Sequence, residues 1–143
     1  MISVGLPLLV KAIKDIMKKN YKMIFQKEYL STYAKKINKS ETRIKWQDNA
    51  EEINLKVRAF NPFPGAWTKI SGDNKRIKIL KSEIVKKKVI TKGNLDVGNV
   101  SDSLVVKCGN GFLKILELQL EGKKVLNNEE FLNGYEIKNL TLE

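Results

Sequence analysis

The sequence predicts a mainly β domain with flanking α-helices: a small barrel preceded by helices and a linker. Three observations point there. After residue 65, short strand-like runs recur between turn signals, at the spacing of about 8–12 residues that favours a closed barrel over a parallel sheet. Before residue 62, two stretches carry the three- and four-residue apolar spacing of amphipathic helices. Residues 20–47, between those helices, carry no long periodic pattern.

The first helix is expected over 6–19. Leu6, Leu9, Ile13 and Ile16 share a face, and Pro7 stands where a helix can begin. Lys18 and Lys19 suit the negative end of the helix dipole. The apolar face needs a partner, either on this chain or on another domain. In the linker, Tyr29, Leu30, Tyr33 and Ile37 suit a helical turn or two, and basic residues dominate. The second helix is better specified. Asn49 can cap it, Glu52 completes a capping box, and Ile53, Val57 and Phe60 fall on one face. Pro62 and Pro64 end it, and residues 61–65 form a rigid turn because each proline fixes φ.

The strands follow. Residues 66–70 are short and aromatic, and 71–74 are a turn. Ile77 and Ile79 alternate with Arg76 and Lys78, so one face is apolar and the other cationic. Residues 84–90 continue that strand past a bulge, and 95–100 are weakly strand-like. Residues 104–107 and 112–120 read as a hairpin around Cys108-Gly109-Asn110-Gly111. A last helix has Asn127 as cap, Glu130 in the capping box, Phe131 and Leu132 turned inward, and Gly134 as its stop. The expected division is a terminal helix at 1–20, a basic linker at 21–47, and a helix-plus-barrel domain at 48–143.

Composition narrows function. The chain has 143 residues, 27 Lys plus Arg against 16 Asp plus Glu, and a net charge of +11. Such a balance attracts polyanions, although a gene rich in A and T also enriches Lys, Asn and Ile. The charge is segmented, however: residues 69–92 hold nine basic and two acidic residues, whereas 93–143 hold five and eight. A coding bias acts along the whole chain and does not make that contrast. The absence of histidine removes every mechanism that uses imidazole as base, acid or ligand. Cys108 is the single cysteine, so an internal disulfide is impossible and a cytoplasmic location fits. No apolar run is long enough to span a bilayer, and the basic first helix lacks the aromatic face of a membrane-surface helix.

Candidate chemistry is sparse. Glu51-Glu52 and Glu129-Glu130 lie in first helical turns, where carboxylates complement the dipole. Cys108 reads as a structural thiol, and Cys108-Gly109-Asn110-Gly111 has no P-loop spacing. No metal site is expected. Trp46, Trp67, Phe60 and Phe63 read as packing between helix and barrel. The best candidates are cations that could contact nucleic-acid phosphates: Arg58, Arg76, Lys78, Lys81, Lys86, Lys87, Lys88, Lys123 and Lys124. The alternative is a structural or protein-interaction barrel whose lysines only keep it soluble.

Several blocks carry a family resemblance. Tyr33-Ala34-Lys35-Lys36-Ile37, Arg43-Ile44-Lys45-Trp46 and Arg58-Ala59-Phe60-Asn61-Pro62-Phe63-Pro64-Gly65-Ala66-Trp67 closely resemble methionyl-tRNA formyltransferases. So do Cys108-Gly109-Asn110-Gly111, Leu116-Glu117-Leu118-Gln119, Glu121-Gly122-Lys123-Lys124 and Glu130-Phe131-Leu132-Asn133-Gly134-Tyr135. The sequence departs from the family at Lys45, where an acid is usual, and at 91–94, which lack a Pro-Gly turn.

The resemblance implies an OB-like carboxy-terminal barrel that helps to hold initiator methionyl-tRNA through its backbone. It implies that the helix at 1–20 belongs to the end of a catalytic domain, and a separately encoded catalytic domain is a candidate partner. The Asn, His and Asp motifs of that domain are not in this sequence. The expectation is therefore a non-catalytic chain with no cofactor of its own, 10-formyltetrahydrofolate being bound by the catalytic domain. Formyltransferases acting on folates or sugar nucleotides have a similar barrel, so an equivalent domain of one of those is the other expectation.

Overall fold

The computed structural model describes residues 2–73, 75–85, 96–135 and 140–143. The chain divides into two compact units between Lys35 and Lys36.

The first unit holds helix α1 (Ile2–Met17) and a 3-10 turn at Glu28–Leu30. The helix begins a turn before the expected position and carries Pro7 in its interior. Proline removes one backbone donor there, a loss confined to the first two turns. The helix ends as a Schellman motif: Lys19 has φ +56°, its N–H donates to Ile16 O, and Asn20 N–H donates to Asp15 O. The spacing of Leu9, Ile13 and Ile16 does give a helix, yet all three are exposed.

The second unit begins earlier than the expected boundary at 48. Thr42, Ile44 and Trp46 are buried while Arg43, Lys45 and Gln47 are exposed, the two-residue period of a strand. Ile44 N–H donates to Trp67 O and Trp67 N–H donates to Thr42 O, so this segment flanks the first strand. Helix α2 (Ala50–Phe60) follows, with Asn49 N–H donating to Glu52 Oε2 at 3.3 Å. Ile53 and Val57 are buried against the sheet, as the spacing implied, and Asn54 accepts from Ser82 Oγ.

Among the described residues five strands follow: β1 (Ala66–Lys69), β2 (Arg76–Val85), β3 (Val105–Lys107), β4 (Phe112–Leu120) and β5 (Val125–Asn127). The sheet is antiparallel in the order β1-β2-β4-β3, with β5 beside β4. The bulge anticipated in β2 lies around Lys81, where the register to β4 shifts. Residues 86–95, and with them the expected run to 90, lie outside the described residues. Asn99 and Val100 make isolated bridges in place of the weak strand expected at 95–100. Strand β5 was not anticipated; three residues are too short for a periodic signal. Helix α3 (Asn128–Gly134) has the full reciprocal capping box, Asn127 Oδ1 with Glu130 N–H and Glu130 Oε2 with Asn127 N–H, both 2.9 Å.

Two irregular segments close the ring. Residues 98–100 pair with β3, through Gly98 N–H to Lys107 O and Lys107 N–H to Asn99 O. Residues 140–143 then pair with both 98–100 and the end of β1, through Leu142 N–H to Gly98 O and Glu143 N–H to Lys69 O. These bonds lead from β3 back to β1 and curl the antiparallel sheet into a small barrel. Its core includes Trp46, Ile53, Val57, Ile79, Leu113 and Leu118. The buried polar Thr68 accepts from Trp46 Nε1 at 3.0 Å and donates to the main-chain oxygen of Glu143. Gly109 N–H donates to Trp46 O at 2.7 Å, and a Cβ at Gly109 would overlap the Gln47 carbonyl. That close approach fixes the entry into α2.

Candidate nucleic-acid interface

The alternation of β1 and β2 decides which side chains leave the core. Ala66 and Thr68 point inward, so Trp67 points out; Ile77 and Ile79 point inward, so Arg76 and Lys78 point out. Trp67 lies opposite Lys78 and Lys69 opposite Arg76 in the antiparallel register. The Arg76 guanidinium sits 4.3 Å from the Trp67 ring centroid and the Arg43 guanidinium 5.7 Å from it. The indole N–H donates to Lys39 O at 3.1 Å. Cation–π contacts of this kind hold guanidinium groups in place while leaving their N–H edges available.

Around Trp67 opens a cleft of about 450 Å³, whose lining includes Lys39, Phe63, Arg76, Lys78, Gln119 and Glu121. Glu121 is the acid of the lining; its Oε2 accepts from Arg76 N–H at 3.3 Å. The cleft is therefore cationic, with an aromatic floor and an aromatic rim. Phe63, expected to pack, is 84% exposed instead. Trp67, also expected to pack, is half-buried and faces the cleft. Trp46 alone of the two tryptophans is a core residue, at 1% exposure.

The described candidate cations are spread over several elements. Arg76 and Lys78 line the cleft. Lys123 and Lys124 are exposed in the β4–β5 turn, which begins at the cleft residues Glu121 and Gly122. Lys81 lies at the bulge and pairs with Glu117 at 3.5 Å, which compensates its charge. Arg58 is exposed in the last turn of α2, and Lys86, Lys87 and Lys88 lie outside the described residues. Lys39 and Arg43 belong with Arg76 and Lys78 but were missed, because they sat in a segment read as linker.

Cys108 is fully buried, its Sγ 3.7 Å from Val106 O. Burial pushes its thiol up to about 11, against a smaller opposing pull from Lys107. Asp73 is held below the usual carboxylate range, chiefly by the Lys75 backbone N–H, and pairs with the Lys75 ammonium at 3.3 Å. Among the described residues no group of three or more Cys, Asp and Glu could hold a metal ion. No helix among them is long and apolar enough to cross a membrane.

Residues 36–136 match the formyl transferase C-terminal domain family. The chain belongs to that family. Among curated relatives, methionyl-tRNA formyltransferase of Bartonella tribocorum is 38% identical over 137 residues, covering 94% of this chain and 43% of the relative. That of Rickettsia bellii is 42% identical over 134 residues, covering 93% and 41%. The chain thus spans about two fifths of the length of these enzymes. Among solved structures, HypX from Aquifex aeolicus in complex with tetrahydrofolic acid superposes with a TM-score of 0.63 at 20% identity, over 93% of this chain and 25% of HypX. At that identity the likeness concerns the fold alone, and it agrees with the barrel described above. The formyl transferase C-terminal domain family match begins at Lys36, the same residue at which the second compact unit begins.

Proposed function

We propose that this chain is the tRNA-holding carboxy-terminal module of a methionyl-tRNA formyltransferase. The observation that carries the reading is the cleft in which Arg76 and Lys78, with Lys39 at the rim, surround an indole and face a single acid. Cations fixed at that spacing suit the phosphates of a folded RNA, giving affinity without sequence readout. Formyl transfer itself belongs, on this reading, to a catalytic domain that binds 10-formyltetrahydrofolate, whether on the same chain or on another. The module supplies no group to the bond-making step; it holds the acceptor end of the initiator tRNA for that domain. A cytoplasmic location follows from that role.

The test is tRNA binding by fluorescence anisotropy at low salt and again at about 0.2 M. Each neutralised phosphate contributes a log–log salt slope of about −0.7 to −0.9. The expected result is micromolar binding that weakens steeply with salt and is weakened further when Arg76 and Lys78 are both changed to Ala. Absence of binding at low salt would favour a structural or protein-interaction barrel instead.

A further inference from the structure

We infer that the Trp67 cleft admits one unstacked base of an RNA, with Phe63 as its stacking platform and Arg76 and Lys78 on its phosphate. The inference rests on the tRNA-holding reading and adds which part of the RNA enters.

The first argument is the state of Phe63. Its ring is 84% exposed, yet it is held between Pro62 and Pro64 in the turn that leaves α2. Prolines on both sides restrict the backbone there, so little freedom is lost when a flat group stacks on the ring. The second argument is what surrounds the ring. Trp67, the other aromatic of the cleft, already has the Arg76 guanidinium over it, which leaves Phe63 as the uncovered ring. The third is size and polarity. A cleft of about 450 Å³ lies in the range of roughly 300–1,000 Å³ that holds small ligands. Gln119 commits its Nε2 to Lys123 O at 2.9 Å, which leaves its Oε1 for the donor edge of a base.

A double helix presents phosphates, sugars and base edges to such a cleft but no open base face, because its bases are stacked on one another. A bulged, looped or terminal nucleotide presents both a base and its phosphate, and proteins take such bases on aromatic side chains and guanidinium planes. The pairing of an exposed ring with fixed cations in one cleft matches that mixed ligand.

The experiment uses the full chain and two RNA hairpins carrying 2-aminopurine, one with the analogue in a single-nucleotide bulge and one with it base-paired. The bulged RNA is expected to bind about five-fold tighter or more, with its fluorescence quenched by stacking. In Phe63→Ala the ratio of bulged to paired affinity falls toward one and the quench is lost; Phe63→Tyr restores both. Because Phe63 is exposed, the substitution leaves the core intact. Equal binding of the two hairpins by the unaltered chain, or a preference that survives Phe63→Ala, overturns the base site while leaving phosphate contact standing. Failure to bind either hairpin at low salt overturns both readings.

Discussion

Helices α1 and α2 look alike in sequence and differ in structure. Both repeat apolar residues at three- and four-residue spacing, Leu9, Ile13 and Ile16 in one, Ile53, Val57 and Phe60 in the other. Ile53 and Val57 are 1% and 0% exposed, whereas Ile13 is 50% exposed. The difference lies outside the helices. α2 is entered from a segment hydrogen-bonded to β1 and to the 108–111 turn, through Gly109 N–H to Trp46 O and Ala50 N–H to Asn110 O. α1 ends in a local Schellman motif and, among the described residues of its own unit, has no such long-range anchor. Periodicity therefore specifies a face; what covers the face is decided by bonds formed far along the chain.

The sharpest way to break the contrast is at the anchor. Gly109→Ala forces a methyl into the Gln47 carbonyl, and is expected to destabilise the barrel by more than about 3 kcal/mol, at the severe end of single substitutions. Urea unfolding followed by the fluorescence of the buried Trp46 reads this directly. Next come matched truncations within the helices. Ile53→Ala is expected to cost about 2–5 kcal/mol in the same assay, and Ile13→Ala no more than about 0.5 kcal/mol. Equal costs would mean that the two helices are packed alike.

A smaller effect belongs to α1. Lys19 occupies a left-handed position that favours glycine. Lys19→Gly is therefore expected to strengthen that helix end by up to about 1 kcal/mol, seen as a gain in helical circular dichroism.

A pH-dependent effect concerns Cys108, beside the anchoring turn. Burial raises its thiol from an ordinary 9.0 to about 11. Its contribution to stability is fully present below pH 9. As pH rises from about 9 toward 11 the unfolded chain loses the proton first, so stability falls with pH across that window. Cys108→Ser is expected to flatten this part of the profile, and Ellman's reagent at pH 8 should label the folded chain far more slowly than the urea-unfolded one.

Much of the fold was legible. The capping patterns at Asn49 and Asn127, the proline stop after Phe60 and the hairpin around Cys108–Gly111 are local devices, and local devices survive into the structure because tertiary contacts reinforce them. The outward placement of Arg76 and Lys78 was also legible, since alternation with Ile77 and Ile79 fixes it. What escaped was the 42–46 edge. Its alternation, Thr42, Ile44 and Trp46 against Arg43 and Lys45, is present in the sequence. However, it holds only two large apolar residues among five, and a buried threonine reads as polar. With that segment taken as linker, Lys39 and Arg43 could not be placed beside Trp67. Trp67 itself carries the signal that would have found the cleft: it falls between Ala66 and Thr68, so if those two face the core the indole faces out.

By itself, then, the sequence determined the helices, most strands, the cationic face of β2 and the family to which the chain belongs. All of these follow from short-range periodicity, capping or contiguous motifs. Only the tertiary structure decided how the ring closes, through 98–100 and 140–143, and which cations meet around Trp67. Both outcomes depend on hydrogen bonds between residues far apart in the chain, such as Glu143 N–H with Lys69 O and Leu142 N–H with Gly98 O. Such bonds join irregular segments whose backbone groups must find partners once buried, and no local pattern announces where those partners lie.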